Sequence, residues 1–215
     1  MTMAALAAFV IPATASAIND PQLTEAGALV KVGEKFVATN IGNFDFMSTD
    51  GVTTQFNCSK AVLTGSVTAN AAGTVEGSIT SAQFSSTGPV SAHNGLNECT
   101  VGGSFGNFYY TVANLPLTLK STPAMAEHEV QITGPAGAKV KFIAGFTVAG
   151  VCEYETTSTL KGDFTTGETT KLSIRNTQAG SGLKLIKGGF FCPTSMQTRA
   201  SFLLETESGT ELGIS

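Results

Sequence analysis

One stretch of the sequence alternates between two kinds of side chain for thirteen residues, and it restricts the fold more than any other feature. Between Cys152 and Phe164, apolar, hydroxyl-bearing or small residues take the even positions, whereas the charged residues all take odd positions. A period of two with charges on one face is typical of a long antiparallel strand with one side in water. The sequence therefore predicts a long strand over 152–164 in a sheet that has a packed face and a solvated face.

The composition of the whole chain extends this prediction to an all-β protein. Charged residues make up only 13% of the sequence, well below the usual quarter, and there are 24 glycines. Abundant Thr, Ser, Val and Gly favour sheets and tight turns, and no segment shows a sustained helical period. We expect a dozen or more short strands, with a loop over residues 40–51, arranged as an antiparallel β-sandwich or a flattened barrel.

The length of 215 residues suits one large β domain or two small ones. We expect a single domain over residues 18–215. The alternative is two sub-halves, 18–121 and 122–215, that meet near Pro123, because proline prevents a helix from running through that point.

A weak internal repeat also points to two related halves. Residues 63–68 (LTGSVT) resemble residues 160–165 (LKGDFT), and residues 78–79 (SI) match residues 173–174. The offset between the copies drifts, and β-segments resemble each other for physical reasons, so chance similarity remains the alternative to duplication.

The first seventeen residues have the pattern of a signal peptide. Residues 4–13 form an apolar run that is too short to span a bilayer, and Ala15, Ser16 and Ala17 provide a small-x-small cleavage pattern. No Lys or Arg precedes the apolar run, so either the true start lies upstream or the segment is a buried N-terminal helix. The prediction is an exported protein that starts at Ile18 after cleavage.

The four cysteines fit an exported chain. Cys58 and Cys99 are 41 residues apart, and Cys152 and Cys192 are 40 residues apart. The sequence contains no Cys-x-x-Cys motif, which argues against zinc ribbons and thioredoxin chemistry. Of the three possible pairings we favour Cys58–Cys99 with Cys152–Cys192, because each half then carries its own disulfide; four free thiols in a cytosolic protein are the alternative.

Short motifs flank these cysteines. Residues 63–68 (LTGSVT) and 77–80 (GSIT) follow the predicted strand that contains Cys58, and residues 188–194 (GGFFCPT) precede a last strand of alternating apolar and polar residues. In these motifs the chain resembles a loose group of secreted, cysteine-paired bacterial β-proteins of unassigned function, of the high-GC Gram-positive type. The resemblance implies export and paired cysteines, and it carries no catalytic residues.

One motif formally matches the nucleophile elbow of a serine hydrolase. Residues 102–106 (GGSFG) place Ser104 between glycines, as the strained strand-to-helix turn of that motif requires. The following segment, residues 107–115, alternates as a strand, and neither His93 nor His128 has a clear acidic partner in the order that the hydrolase fold needs. A glycine-rich turn or bulge is the preferred interpretation.

Two further segments carry metal-ligand chemistry in principle. Glu127, His128 and Glu129 are adjacent, but neighbouring strand residues point to opposite faces, so a solvated strand edge explains them better. The oxygen-rich run 43–51 could hold Ca²⁺, yet it lacks the EF-hand order and its final glutamate, and an ordinary turn loop is the alternative. We expect no metal and no cofactor.

The densest aromatic group is the candidate ligand-binding site. It consists of Phe105, Phe108, Tyr109 and Tyr110. Aromatic rows on extracellular β-proteins stack on sugar rings, which predicts an exposed Tyr109 with a groove beside it. The alternation places Phe108 and Tyr110 on one face, which is more often core than binding surface.

The net charge of −4 supplies no electrostatic reason to bind nucleic acid or an anionic membrane. The sequence therefore predicts an exported, non-enzymatic structural or binding protein, secreted or at the cell surface. It does not identify the ligand or partner, for which a cell-surface polysaccharide and an envelope protein are the candidates. A carbohydrate-binding module is the first alternative, and a secreted serine hydrolase is the second.

Overall fold

The computed structural model describes residues 21–47, 49, 54–71, 73–86, 92–93, 96–101, 108–126, 128–146, 150–165, 170–175, 180–190 and 192–214. These residues form nineteen β-strands and one short 3₁₀ turn, Pro135–Gly137, and no α-helix occurs among them. The predicted signal peptide lies outside the described residues. The all-β prediction is confirmed.

The strands are numbered in chain order. They are β1 (Leu23–Glu25), β2 (Ala28–Leu29), β3 (Lys35–Asn40), β4 (Phe44–Met47), β5 (Thr54–Cys58), β6 (Lys60–Ala71), β7 (Thr74–Ser85), β8 (Ala92–His93), β9 (Leu96–Val101), β10 (Phe108–Val112), β11 (Leu117–Ser121), β12 (Glu129–Thr133), β13 (Lys141–Phe146), β14 (Gly150–Thr156), β15 (Leu160–Phe164), β16 (Lys171–Ile174), β17 (Gly182–Lys187), β18 (Ser195–Thr206) and β19 (Leu212–Ile214).

Most of these strands belong to two closed, antiparallel rings of eight that share β18. The first ring, here called the aliphatic barrel, has the order β3, β6, β7, β11, β12, β15, β16, β18, and β18 closes it by pairing with β3. The second ring, the aromatic barrel, has the order β4, β5, β9, β10, β13, β14, β17, β18, and β18 closes it by pairing with β4. The barrel form of the predicted architecture is therefore the one present, and closure leaves neither ring with a free edge strand.

The chain passes eight times from one ring into the other. Strands that are neighbours in one ring therefore continue into strands that are neighbours in the other ring. Each passage, here called a stave, combines one strand from each ring: β3 with β4, β5 with β6, β7 with β9, β10 with β11, β12 with β13, β14 with β15, β16 with β17, and finally the long β18 alone. Consecutive staves pair in both rings. The fold is thus an up-and-down meander of eight staves, each divided between two barrels.

The predicted thirteen-residue strand is one of these staves, and it is broken in the middle. It consists of β14 and β15, separated by a bend at residues 157–159, where the Thr157 amide donates to the Gly182 carbonyl oxygen at 2.8 Å. The even positions face the interior on both sides of the bend, but Ser158 is exposed. The expected loop over residues 40–51 also differs, because it contains β4.

The interiors of the two barrels differ in composition. The aliphatic barrel is filled mainly by Val, Ile and Leu side chains. The aromatic barrel holds Phe46, Phe56, Phe108, Tyr110 and Tyr154, each at most 2% exposed. Ring centroids in the aromatic cluster lie 4.3 to 6.3 Å apart. Burying each such ring contributes on the order of 1.5–3 kcal/mol, so the packed interior is the main source of stability.

Glycine is required at one point in the wall of the aliphatic barrel. Gly65 faces inward on β6, opposite Phe36 on β3. A Cβ atom at position 65 would overlap the carbonyl oxygen of Ser78 and the ring of Phe36. The close approach of the neighbouring strand and the aromatic ring therefore excludes a side chain here.

A small separate sheet, β19–β1–β2, lies beside the aliphatic barrel, and Asn70 at the end of β6 provides one of its connections to that barrel. The buried Asn70 side chain accepts a hydrogen bond from the Leu23 amide at 2.8 Å and donates to the carbonyl oxygens of Leu23 and Val30 at 2.7 and 2.9 Å. Leu23 and Ile214 are buried. One amide side chain thus bonds both β1 and the residue after β2 to the end of β6.

The repeat motifs fall on staves four positions apart. Residues 63–68 and 78–79 belong to the second and third staves, and their counterparts at 160–165 and 173–174 belong largely to the sixth and seventh. The predicted boundary near residues 121–127 lies between the fourth and fifth staves. Each set of four staves contributes to both barrels, and duplication stays a prediction.

Candidate functional site

The aromatic group predicted to bind ligand is divided by the barrel wall. Phe108 and Tyr110 face the interior and are 0% and 1% exposed. Tyr109 lies between them on β10, points outward and is half-buried, with its ring over Gly145 of the neighbouring strand. Phe105 lies outside the described residues. Phe108 and Tyr110 are therefore core residues and offer no surface for stacking, because strand alternation sends only every second side chain outward.

Both predicted disulfides are present. Cys58 is bonded to Cys99 and Cys152 to Cys192, and no cysteine is free. The first bond links β5 to β9, and the second links β14 to the segment before β18. All four side chains are at most 5% exposed, so the disulfides belong to the packed wall and interior of the aromatic barrel.

The other candidate sites are only partly within the described residues. Ser104 and Glu127 lie outside them, and His93 lies on β8. Among the described residues, no group of three or more His, Cys, Asp or Glu side chains is arranged to hold a metal ion. The neighbour of His128, Glu129, accepts a hydrogen bond from Lys161 at 2.8 Å, and this bond lowers the pKa of the Glu129 carboxyl.

The segment proposed as a calcium loop begins inside β4. Its first carboxylate, Asp45, is nearly buried and accepts hydrogen bonds from Arg199 Nη2 at 2.6 Å and Nε at 3.2 Å. This ion pair bridges β4 and β18 and compensates the buried charge of Asp45. Residues 48 and 50–53 lie outside the described residues.

Tyr110 and Tyr154 place two hydroxyl groups inside the aromatic barrel. Neither hydroxyl has a hydrogen-bond partner among the described residues. Burial raises the pKa of Tyr110 well above 10, and the nearby Tyr154 raises it further; burial also raises the pKa of Tyr154. A neutral phenol is therefore favoured at both positions.

The described residues enclose a small interior cavity. At the junction of the two barrels a cavity of about 40 Å³ is lined by side chains from all eight staves, including Phe44, Phe84, Phe142 and Phe202. Its lining is apolar except for Thr198, and an apolar cavity of this size stays dry. This cavity is therefore too small to hold an organic molecule.

A cleft of about 240 Å³ lies on the outer wall of the aliphatic barrel. The polar and apolar side chains that surround it come from β3, β6, β7 and the turn after β18: Lys35, Val37, Thr64, Ser66, Thr80 and Glu207. Strand pairing places Lys35 beside Ser66 and Val37 beside Thr64. Three hydroxyl groups and one ion pair thus converge on one concave surface, where they provide several hydrogen-bond donors and acceptors.

The ion pair forms the open end of the cleft. Lys35 Nζ donates to Glu207 Oε1 at 3.1 Å, and both side chains are 64% exposed. The two charges cancel, so the cleft itself is electrically neutral. An exposed pair of this kind adds little to stability.

The position of Glu207 is defined by an ordered turn. The Thr206 hydroxyl contacts the Ser208 hydroxyl at 2.8 Å and accepts from the Thr210 amide at 3.1 Å. The Gly209 amide donates to the Thr206 carbonyl oxygen at 3.0 Å, and Gly209 adopts φ +84°. The backbone of the turn is therefore organised independently of the Lys35–Glu207 contact.

A strand irregularity shapes the opposite side of the cleft. Between β6 and β7 the register shifts at Thr64 and Gly65, which leaves Thr80 as an extra residue opposite them. The Thr80 hydroxyl is 3.4 Å from the Thr64 carbonyl oxygen. A bulge of this kind re-aims a side chain, and here the re-aimed side chain belongs to the cleft wall.

The cleft continues into a row of hydroxyl groups that crosses four strands. Ser66 pairs with Ser78, Ser78 with Thr118, and Thr118 with Thr133. All four side chains are half-exposed on the outer face. Neighbouring strands are about 4.8 Å apart, so the row presents regularly spaced donors and acceptors next to the cleft.

The sequence shows part of this surface. The outward Thr and Ser residues of β6 and β7 are visible as alternation, but their role is not, because such residues are common on strands. Lys35 and Glu207 are 172 positions apart, and only closure of the aliphatic barrel brings them together.

Within the ranges described above, no helix is long and apolar enough to cross a membrane. The chain matches no protein-family model, and comparison with curated proteins and with solved structures finds no match to either.

Proposed function

We propose that this protein is an exported, non-catalytic structural or binding protein of the cell envelope or the extracellular space. The observation that carries the proposal is that all four cysteines are paired in disulfides. Disulfides persist in oxidising compartments and are rare in the cytosol. The signal-peptide pattern of residues 1–17 supports the same compartment.

The packing of the barrel interiors supports the proposal that partners bind to the outer wall of the barrels. The described core side chains pack together inside both barrels, and the cavity at the barrel junction, about 40 Å³, is too small for an organic substrate. In this proposal the barrels are a rigid scaffold, and partners contact the outer wall.

The intact mass of the protein recovered from its native host tests this proposal. The protein is alkylated without reduction, and a reduced and alkylated sample serves as the control. We expect a chain that starts at Ile18, no alkylated cysteine in the first sample and four in the control. Uncleaved chain found only inside cells, with four alkylated cysteines and no reduction, would refute export.

Carbohydrate binding is the second candidate function, and the cleft on the aliphatic barrel favours it. Hydroxyl groups and a neutral ion pair line that cleft. The aromatic group predicted from the sequence supports carbohydrate binding less, since Tyr109 is the only described member of that group that faces outward. A serine hydrolase centred on Ser104 remains a sequence hypothesis, which a reactive-serine probe would test.

A further inference from the structure

From the cleft geometry we infer that the cleft at Lys35 and Glu207 is a binding site for a neutral glycan, which extends from the cleft along the hydroxyl row Ser66–Ser78–Thr118–Thr133. This inference rests on the second candidate function and names its site.

The ion pair has the chemistry to bind a pair of neighbouring sugar hydroxyls. Lys35 Nζ is a donor and Glu207 Oε1 is an acceptor, 3.1 Å apart. Each sugar hydroxyl both donates and accepts, so one hydroxyl accepts from the ammonium while its neighbour donates to the carboxylate. Hydrogen bonds to charged groups are stronger than neutral ones, which makes this pair the main polar contact.

The charge of the cleft selects the class of ligand. Lys35 and Glu207 cancel each other, and the remaining polar side chains that line the cleft are the hydroxyls of Thr64, Ser66 and Thr80. Because the two charges cancel, the cleft offers no net electrostatic attraction to an anionic or a cationic ligand. A neutral, polyhydroxylated molecule matches the surface, and the exposed part of Val37 provides an apolar contact for the C–H groups of a sugar ring.

The hydroxyl row indicates a chain rather than a single sugar. It begins at Ser66, which lines the cleft, and crosses β6, β7, β11 and β12. These strands are hydrogen-bonded to one another, so the row is held in place before a ligand binds. We therefore expect affinity to increase with the length of the oligosaccharide until the row is covered.

The test is a titration of the folded, disulfide-intact, ¹⁵N-labelled protein followed by amide chemical shifts. The probes are neutral oligosaccharide series derived from glucan, mannan, galactan and arabinan. We expect at least one series to shift amides in residues 35–37, 64–66, 80 and 205–207, with longer members binding more tightly than the disaccharide.

Three variants separate binding at this cleft from other effects. Glu207→Gln and Lys35→Met should each weaken binding of the active probe by about tenfold or more, the loss expected for one hydrogen bond to a charged group. Both positions are exposed, so the variants should fold. Glu153→Gln, which breaks the comparable exposed pair of Glu153 and Lys187 at 2.9 Å, is the matched control and should bind like the wild type.

A fourth variant tests the direction of the bound chain. Thr118→Val removes one hydroxyl from the row while retaining the shape of the side chain. It should weaken binding of the longest oligosaccharide and leave the disaccharide unaffected. Equal binding of every length by this variant and the wild type would overturn the extension along the row.

The remaining outcomes distinguish the site from the function. Glycan binding that Glu207→Gln leaves unchanged, with shifts centred on Tyr109, would overturn this site and retain carbohydrate binding. No binding in any of the four series would overturn both the site and the second candidate function. Export is decided separately by the intact-mass measurement.

Discussion

Replacing Tyr110 and Tyr154 with phenylalanine should stabilise the protein. Both side chains are at most 1% exposed, and neither hydroxyl has a hydrogen-bond partner among the described residues. A buried polar group without a partner costs about 1–3 kcal/mol, whereas phenylalanine keeps the ring contacts. At pH 7 we expect each single substitution to raise the free energy of unfolding by about 1 kcal/mol, at the lower end of that range.

The same hydroxyls predict a loss of stability in alkaline solution. Burial raises the pKa of both phenols above 10, so both stay neutral in the folded protein, while the unfolded chain releases their protons near pH 10. Stability is therefore fully present below pH 10 and falls as the pH rises above it. At pH 11 each tyrosine should contribute a loss of about 1.4 kcal/mol, and the pair about 2.8 kcal/mol.

Urea unfolding followed by circular dichroism at pH 7, 9, 10 and 11, without reductant, measures both effects. Phenolate absorbance provides a second signal, since the chain has three tyrosines and no tryptophan. Tyr109→Phe, on the outer face, is the control. Between pH 9 and pH 11 the double phenylalanine variant should lose about 2.8 kcal/mol less than the wild type.

Two results would refute this reasoning. A destabilisation of 1 kcal/mol or more by Tyr110→Phe at pH 7 would show that its hydroxyl is hydrogen-bonded, for example to an ordered water molecule. An alkaline loss of equal size in the double variant and the wild type would show that other groups cause it.

Three further substitutions test the fold. Replacing Cys58 and Cys99 with alanine should lower the free energy of unfolding by about 4 kcal/mol, the chain-entropy value for a loop of this length, and unchanged urea unfolding would contradict it. Glu129→Gln should be less stable than the wild type at pH 7 and equally stable well below pH 4. The Lys161 hydrogen bond lowers the pKa of the Glu129 carboxyl, so its stabilising contribution is lost as the carboxylate is protonated. A stability difference between variant and wild type that persists in acid would argue against this hydrogen bond. Gly65→Ala should destabilise the protein by about 1–3 kcal/mol, since its Cβ would overlap a backbone carbonyl oxygen, and thermal unfolding at the wild-type temperature would exclude that overlap.

Local patterns predicted the strands better than their arrangement. The alternation over 152–164 assigns nearly every inward side chain correctly, and Ser158 differs because the stave bends there to change barrels. The loop prediction over residues 40–51 was wrong for β4, because it followed the many Asn, Asp and Ser residues of that segment, whereas the four residues of β4 are all buried in a strand. Asp45 can be buried there because Arg199 on β18 pairs with it, a contact that no local window contains.

In the candidate site, too, the sequence predicted the faces of strand residues but not the contacts between distant strands. Alternation was enough to suspect that Phe108 and Tyr110 are core residues, and the structure places them there. The cleft could not be predicted, because Lys35 and Glu207 lie near opposite ends of the chain. Its far wall depends on a register shift between β6 and β7 that the sequence does not signal.

The sequence by itself determined the all-β class and the inward and outward faces of most strands, whereas it left three cysteine pairings open, of which the structure contains the favoured one. The class and the faces follow from the pleat of the strand and from the pairing of near neighbours, which act over short distances along the chain. The tertiary structure decided that the staves close into two barrels, that β18 belongs to both, and that the hydroxyl row and the ion pair share one wall. Each of these depends on hydrogen bonds and contacts between distant strands, above all the pairing of β18 with β3 and β4, and such pairing is chosen by the packing of the whole interior.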